Sequence, residues 1–106
     1  MKALLLFLKN ENPIGKATNM IRRFIKIAIA NRGEIALRII RAAHEMQIQT
    51  ITFYSDEEKN APHVLLSDEA YSLGGGDLND TYLNIEKIIK IAVENGADAV
   101  HPGYGF

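Results

Sequence analysis

The chain has 106 residues, room for one small domain, with 12 Lys and Arg against 13 Asp and Glu and a formal net charge of -1. Nucleic acids and anionic membranes both select basic surfaces, so this balance gives no reason to expect either as a partner. A hydrophobic content of 47% with 24% charged residues is globular composition, and the lack of cysteine excludes a disulfide scaffold and a thiolate zinc site.

The apolar run Ala3-Leu4-Leu5-Leu6-Phe7-Leu8 follows Lys2 and ends at Lys9. It is far short of the about 20 residues of a membrane span. It also falls short of the roughly 7–15 residues of a signal-peptide core, and Ala17-Thr18-Asn19 is a poor cleavage site. Pro13 and Gly15 mark a turn. Residues 1–20 are therefore expected to be an appendage or linker, and residues 21–106 the domain. The lack of cysteine fits a reducing compartment.

Phe24 to Ala30 is β-branched and nearly all apolar, as in a strand buried on both faces of a parallel sheet. Asn31-Arg32-Gly33 is a turn. Glu34 to Met46 has helical spacing, with Ile35, Ile39, Ile40 and Ala43 on one side. Gln49 to Tyr54 is a second strand, Ser55 to Asn60 a solvated loop, and Ala61 to Leu66 a short helix. A weaker third strand, Glu69 to Leu73, is broken by Gly74-Gly75-Gly76. Asn84 stands at an N-cap before Ile85, Ile88, Ile89 and Ala92, and Gly96 fits the C′ position. Ala97 to His101 is a fourth strand, stopped by Pro102 and Gly103. The order β-α-β-(short α)-β-α-β predicts an α/β, Rossmann-like three-layer domain with a parallel sheet of about four strands and right-handed crossovers.

Such folds carry their sites at the carboxyl ends of the strands. Three segments belong there: Asn31 to Glu34, Ser55-Asp56, and His101 to Phe106. A dinucleotide fold needs G-x-G-x-x-G in the first of them, for a tight turn and close approach of the pyrophosphate. Only Gly33 is present, and Arg32 adds bulk. Asp56 falls near the distance of a ribose-binding acid, but without the glycines that spacing is weak. No G-x-x-x-x-G-K-[ST] loop and no acidic pair suited to Mg²⁺ occurs. Gly74-Gly75-Gly76 reads first as a flexible connector and second as a phosphate cradle. Asp56 to Lys59 reads as solvated loop. His44, His63 and His101 have no metal-ligand spacing, and no metal site is expected. Glu34, Arg38, Arg41 and Glu45 fall on one helix stripe, which by itself reads as a solvated face with weak i,i+4 pairs.

Four strings carry a specific resemblance. Ile27-Ala28-Ile29-Ala30-Asn31-Arg32-Gly33-Glu34-Ile35-Ala36 resembles the opening motif of the biotin carboxylases. His63-Val64-Leu65-Leu66-Ser67-Asp68-Glu69-Ala70, Thr81-Tyr82-Leu83-Asn84 and His101-Pro102-Gly103-Tyr104-Gly105-Phe106 follow in the family's order and at about its spacing. The resemblance covers the chain from about Ile21 to Phe106. Members of this family are components of acetyl-CoA, propionyl-CoA, methylcrotonyl-CoA and pyruvate carboxylases, and acetyl-CoA carboxylase serves fatty acid biosynthesis. They use ATP and bicarbonate to carboxylate biotin held on a carrier domain. The family's Gly-Tyr-Gly-Phe leads into Leu-Ser-Glu-Asn and an ATP-grasp region, whereas this sequence stops at Phe106. The resemblance thus implies the amino-terminal domain, truncated before the ATP-grasp region, with no catalytic residue of its own and inactive alone.

The resemblance also implies roles. Tyr104, with Gly103, Gly105 and His101, would wall the biotin and bicarbonate site; for His101 a hydrogen-bonded strand end is the first reading. Asn31, Arg32, Gly33 and Glu34 form the loop after the first strand. For Arg32 and Glu34 a salt-linked turn stands ahead of substrate contact. Arg38, Arg41 and Glu45 would lie at a homodimer interface through the first helix. Biotin on its carrier, ATP and Mg²⁺ are the cofactors implied for the full enzyme, and none is expected on this chain alone. Implied partners are the ATP-grasp remainder, the biotin carboxyl carrier domain and the carboxyltransferase. The implied location is cytoplasmic, or mitochondrial in a eukaryote. Two other readings are a non-catalytic interaction or dimerisation module and an independent nucleotide-binding domain.

Overall fold

The computed structural model describes residues 6–7 and 25–102. Its sheet has five strands: β1 (Leu6–Phe7), β2 (Lys26–Ile29), β3 (Gln49–Ser55), β4 (Glu69–Gly74) and β5 (Ala99–His101). The order across the sheet is β1-β5-β2-β3-β4, and β5, β2, β3 and β4 run parallel. The α/β, Rossmann-like reading holds. Helices α1 (Gly33–Glu45), α2 (Pro62–Leu66) and α3 (Ile85–Glu94) connect the parallel strands. No helix among the described residues is long and apolar enough to cross a membrane.

Strand pleating sends alternate residues of β2 to opposite faces. Ile27 and Ile29 pack with Ala36, Ile40 and Ala43 of α1. Ala28 packs with Ile51, Phe53, Leu73, Val100 and, from α3, Ile88 and Ala92. The α1 stripe is rotated slightly from its sequence reading, with Ala36, Ile40 and Ala43 innermost. Small alanines at the seam let helix and sheet approach closely. In α3, Ile88 and Ala92 are buried while Ile85 is exposed. Its ends follow the sequence: Asn84 Oδ1 accepts from the Lys87 N–H at 3.1 Å, and Gly96 adopts φ +78°.

Leu6–Phe7 adds something the sequence did not announce. The pair lies antiparallel to β5, Leu6 opposite Val100 and Phe7 opposite Ala99. The expected appendage therefore supplies one edge of the sheet. At the amino ends of the parallel strands, Asp98 Oδ2 accepts from the Ile25 and Lys26 N–H groups at 2.8 and 2.9 Å. Lys26 Nζ pairs with Glu69 at 2.6 Å and donates to the Asn95 carbonyl at 3.1 Å. These contacts tie β2 to β4 and to the α3–β5 turn.

Candidate functional site

The chain passes from β2 outward to β3 and β4, then returns to place β5 on the other side of β2. The carboxyl ends of β2 and β5 consequently flank a topological switch point, where open α/β sheets bind ligands. Asn31 and His101 meet there. His101 Nδ1 lies 2.8 Å from Asn31 Oδ1, and the Ala30 N–H donates to the His101 carbonyl at 2.9 Å. Burial holds the His101 pKa below its ordinary value, which favours the neutral ring. The hydrogen-bonded strand end expected for His101 is present. Gly103, Tyr104 and Gly105, expected to wall the site, lie outside the described residues.

A second group gathers at the carboxyl ends of β3 and β4. The turn is salt-linked as expected, Glu34 to Arg38 and Arg32 to Glu58. The Arg32 Nη1 lies 3.2 Å from Glu58 Oε1, and its guanidinium sits 4.6 Å from the centre of the Tyr82 ring. The Tyr82 hydroxyl donates to Glu58 Oε1 at 2.5 Å and accepts from the Ser55 N–H at 3.0 Å. The Tyr82 hydroxyl, aided by Arg32, holds the Glu58 carboxyl below its usual range against the effect of burial. Burial, then the Glu58 carboxylate, pushes the Tyr82 hydroxyl up. Arg32, Ser55, Asp56, Gly75, Gly76 and Tyr82 help line a cleft of about 590 Å³.

Sequence reasoning missed Glu58 and underused Tyr82. Residues 56–58 form a 3₁₀ turn in which Asp56, Glu57 and the following Lys59 are exposed, as read, while Glu58 turns in to Tyr82. The available signal was Tyr82 itself, an aromatic residue just before a helix N-cap at the functional edge. The glycine run is also less free than a connector. A Cβ on Gly76 would lie 2.6 Å from Asp80 Oδ2, and Lys87 Nζ bonds the Leu73 and Asp80 carbonyls at 2.9 and 2.8 Å.

Gly33 turns the chain from β2 into α1 at φ +67°. Glu34 pairs with Arg38 at 3.5 Å, both well exposed, and Arg41 and Glu45 are exposed on the same stripe. Among the described residues, no group of three or more His, Cys, Asp or Glu side chains could hold a metal ion.

Together these features define a Rossmann-like α/β domain with a topological switch point between the carboxyl ends of β2 and β5. Residues 23–106 match the family described as biotin carboxylase, N-terminal domain, and the chain belongs to it. It is 55% identical over 83 residues to the 2-oxoglutarate carboxylase small subunit of Hydrogenobacter thermophilus, covering 78% of this chain and 17% of that one. It is 52% identical over 82 residues to biotin carboxylase 2 of Bacillus subtilis, covering 77% and 18%. Among solved structures it resembles the biotin carboxylase domain dimer of the Hydrogenobacter thermophilus 2-oxoglutarate carboxylase, in complex with MgADP, ADP and bicarbonate. The TM-score is 0.76 at 53% identity, over 81% of this chain and 19% of that one. The chain therefore spans less than a fifth of the length of these proteins.

Proposed function

We propose that this chain forms one wall of a biotin carboxylase active site, in an enzyme completed by an ATP-grasp portion. ATP and bicarbonate would supply the activated carboxyl group, which passes to N1′ of carrier-held biotin as that nitrogen loses its proton. ATP and Mg²⁺ would be held by the ATP-grasp portion. This domain would contribute the Asn31–His101 pair and the Gly103-Tyr104-Gly105 loop, as shape and positioning. Partners would be the carrier domain and a carboxyltransferase, which selects the acyl-CoA or keto acid. Arg38, Arg41 and Glu45 would serve a homodimer, in a cytoplasmic or mitochondrial enzyme. The observation that carries this reading is the family match over residues 23–106, which takes in the segments that follow both β2 and β5.

The test is biotin-dependent ATP cleavage in bicarbonate by the chain, alone and mixed with a separately expressed carboxyl-terminal portion of a relative. Activity only in the mixture is the expected result. Activity in neither moves the assignment to a non-catalytic interaction module, a reading favoured by the exposed charged stripe on α1. Activity of the chain alone overturns both.

A further inference from the structure

Asn31 and His101 are 70 positions apart, and the fold makes them one unit. Asn31 is buried, with 7% of its surface exposed, and its Oδ1 faces His101 Nδ1 at 2.8 Å. An amide oxygen only accepts, so Nδ1 carries the proton and Nε2 is left as the acceptor of a neutral ring. Burial alone drives the ring toward that neutral form, and no charged group among the described residues contributes. Among the described residues nothing bonds to Nε2. The same strand end is fixed through its backbone by the Ala30 N–H. The ring is thus held in one tautomer and one place, at the mouth of the switch point.

We infer that Asn31 is a positioning residue that fixes His101 as the Nδ1–H tautomer, so that Nε2 accepts a hydrogen bond from a substrate N–H group. For a cyclic urea such as the biotin head group, that donor is a ureido N–H. Nε2 orients the ring and takes no proton. An Nε2–H tautomer or an imidazolium would instead aim a donor at a donor. This inference rests on the biotin carboxylase reading.

The tautomer is read directly from long-range ¹H–¹⁵N spectra of the ¹⁵N-histidine-labelled chain, with His101→Gln assigning the signal among the three histidines. The wild-type chain is expected to show His101 protonated at Nδ1. Asn31→Ala should convert most of the population to Nε2–H, the form free imidazole side chains prefer. Asn31→Asp should retain Nδ1–H, because a carboxylate also accepts. In the mixture with the carboxyl-terminal portion, biotin should shift the Nε2 resonance of the wild type and not of Asn31→Ala. An Nε2–H wild type, or an unchanged tautomer in Asn31→Ala, overturns the positioning role. An unresponsive Nε2 in a mixture that cleaves ATP overturns the acceptor role. A mixture without biotin-dependent ATP cleavage instead refutes the carboxylase reading, and the tautomer result stands apart from it.

Discussion

Tyr82→Phe removes one oxygen that joins three segments. The hydroxyl donates to Glu58 Oε1 at 2.5 Å and accepts from the Ser55 N–H at 3.0 Å. A neutral bond contributes about 0.5–1.5 kcal/mol and a bond to a carboxylate about 1.5–3 kcal/mol. The Glu58 side chain is 35% exposed, so water replaces part of the second bond and the lower end applies. The expected loss is about 2 kcal/mol at neutral pH, or roughly 10 °C in Tm. The pH dependence provides an independent check. The folded Glu58 pKa lies below its ordinary value of 4.5, chiefly through the Tyr82 hydroxyl. A depressed carboxyl pKa gives stability that is fully present above the unfolded value and is lost as pH falls through the folded one. The deficit of Tyr82→Phe should therefore be full at neutral pH and shrink below pH 4.5. Urea unfolding followed by circular dichroism measures both. A deficit under about 0.5 kcal/mol, or one equal at neutral and strongly acid pH, would refute the reasoning.

Ile40 is fully buried between α1 and the sheet, so Ile40→Ala should cost about 2–5 kcal/mol in the same assay. The buried Thr50 hydroxyl donates to Asp68 Oδ2 at 3.0 Å and accepts from the Asp68 N–H at 3.1 Å, so Thr50→Val should cost about 1–3 kcal/mol. Burial raises the Asp68 pKa, but bonds from the Thr50 backbone, His44 and the Thr50 hydroxyl outweigh it. Its contribution is present above pH 3.8 and fades as pH falls, so the Thr50→Val deficit should narrow in acid unfolding curves. Gly76→Ala meets both a φ of +113° and the Asp80 side chain, whereas Gly96→Ala at φ +78° meets open space. Thermal unfolding should therefore rank Gly76→Ala as the costlier change, with Gly96→Ala near about 1 kcal/mol.

The repeating architecture was legible because it rests on local pattern. β-Branched runs, the Asn84 cap and the left-handed Gly96 each act within a few residues of themselves. The site was legible only in part. Asn31, Arg32 and His101 stood out because the carboxyl ends of strands are where ligands bind, yet the Asn31–His101 pair joins the ends of two neighbouring strands, β2 and β5, across 70 positions of sequence. Glu58 gave no signal, since its partners come from the β2–α1 turn and from the residue pair before Asn84. The Leu6–Phe7 pairing depends on which strand is left at the edge, a property of the assembled sheet and not of those two residues.

The polar ties around Lys26 and Asp98 make the two ends of the sheet unequal. A strand that slips by one residue exchanges its faces, and here such a slip would also break the Asp98 bonds to Ile25 and Lys26 and the Lys26–Glu69 pair. Register is thereby anchored at the end remote from the switch point. Brief openings of the native state should start at the carboxyl edge, and amide exchange at Ile25 and Lys26 should be slow for residues at the start of a strand. The loops at the carboxyl ends can then adjust while strand alignment is held from the opposite end.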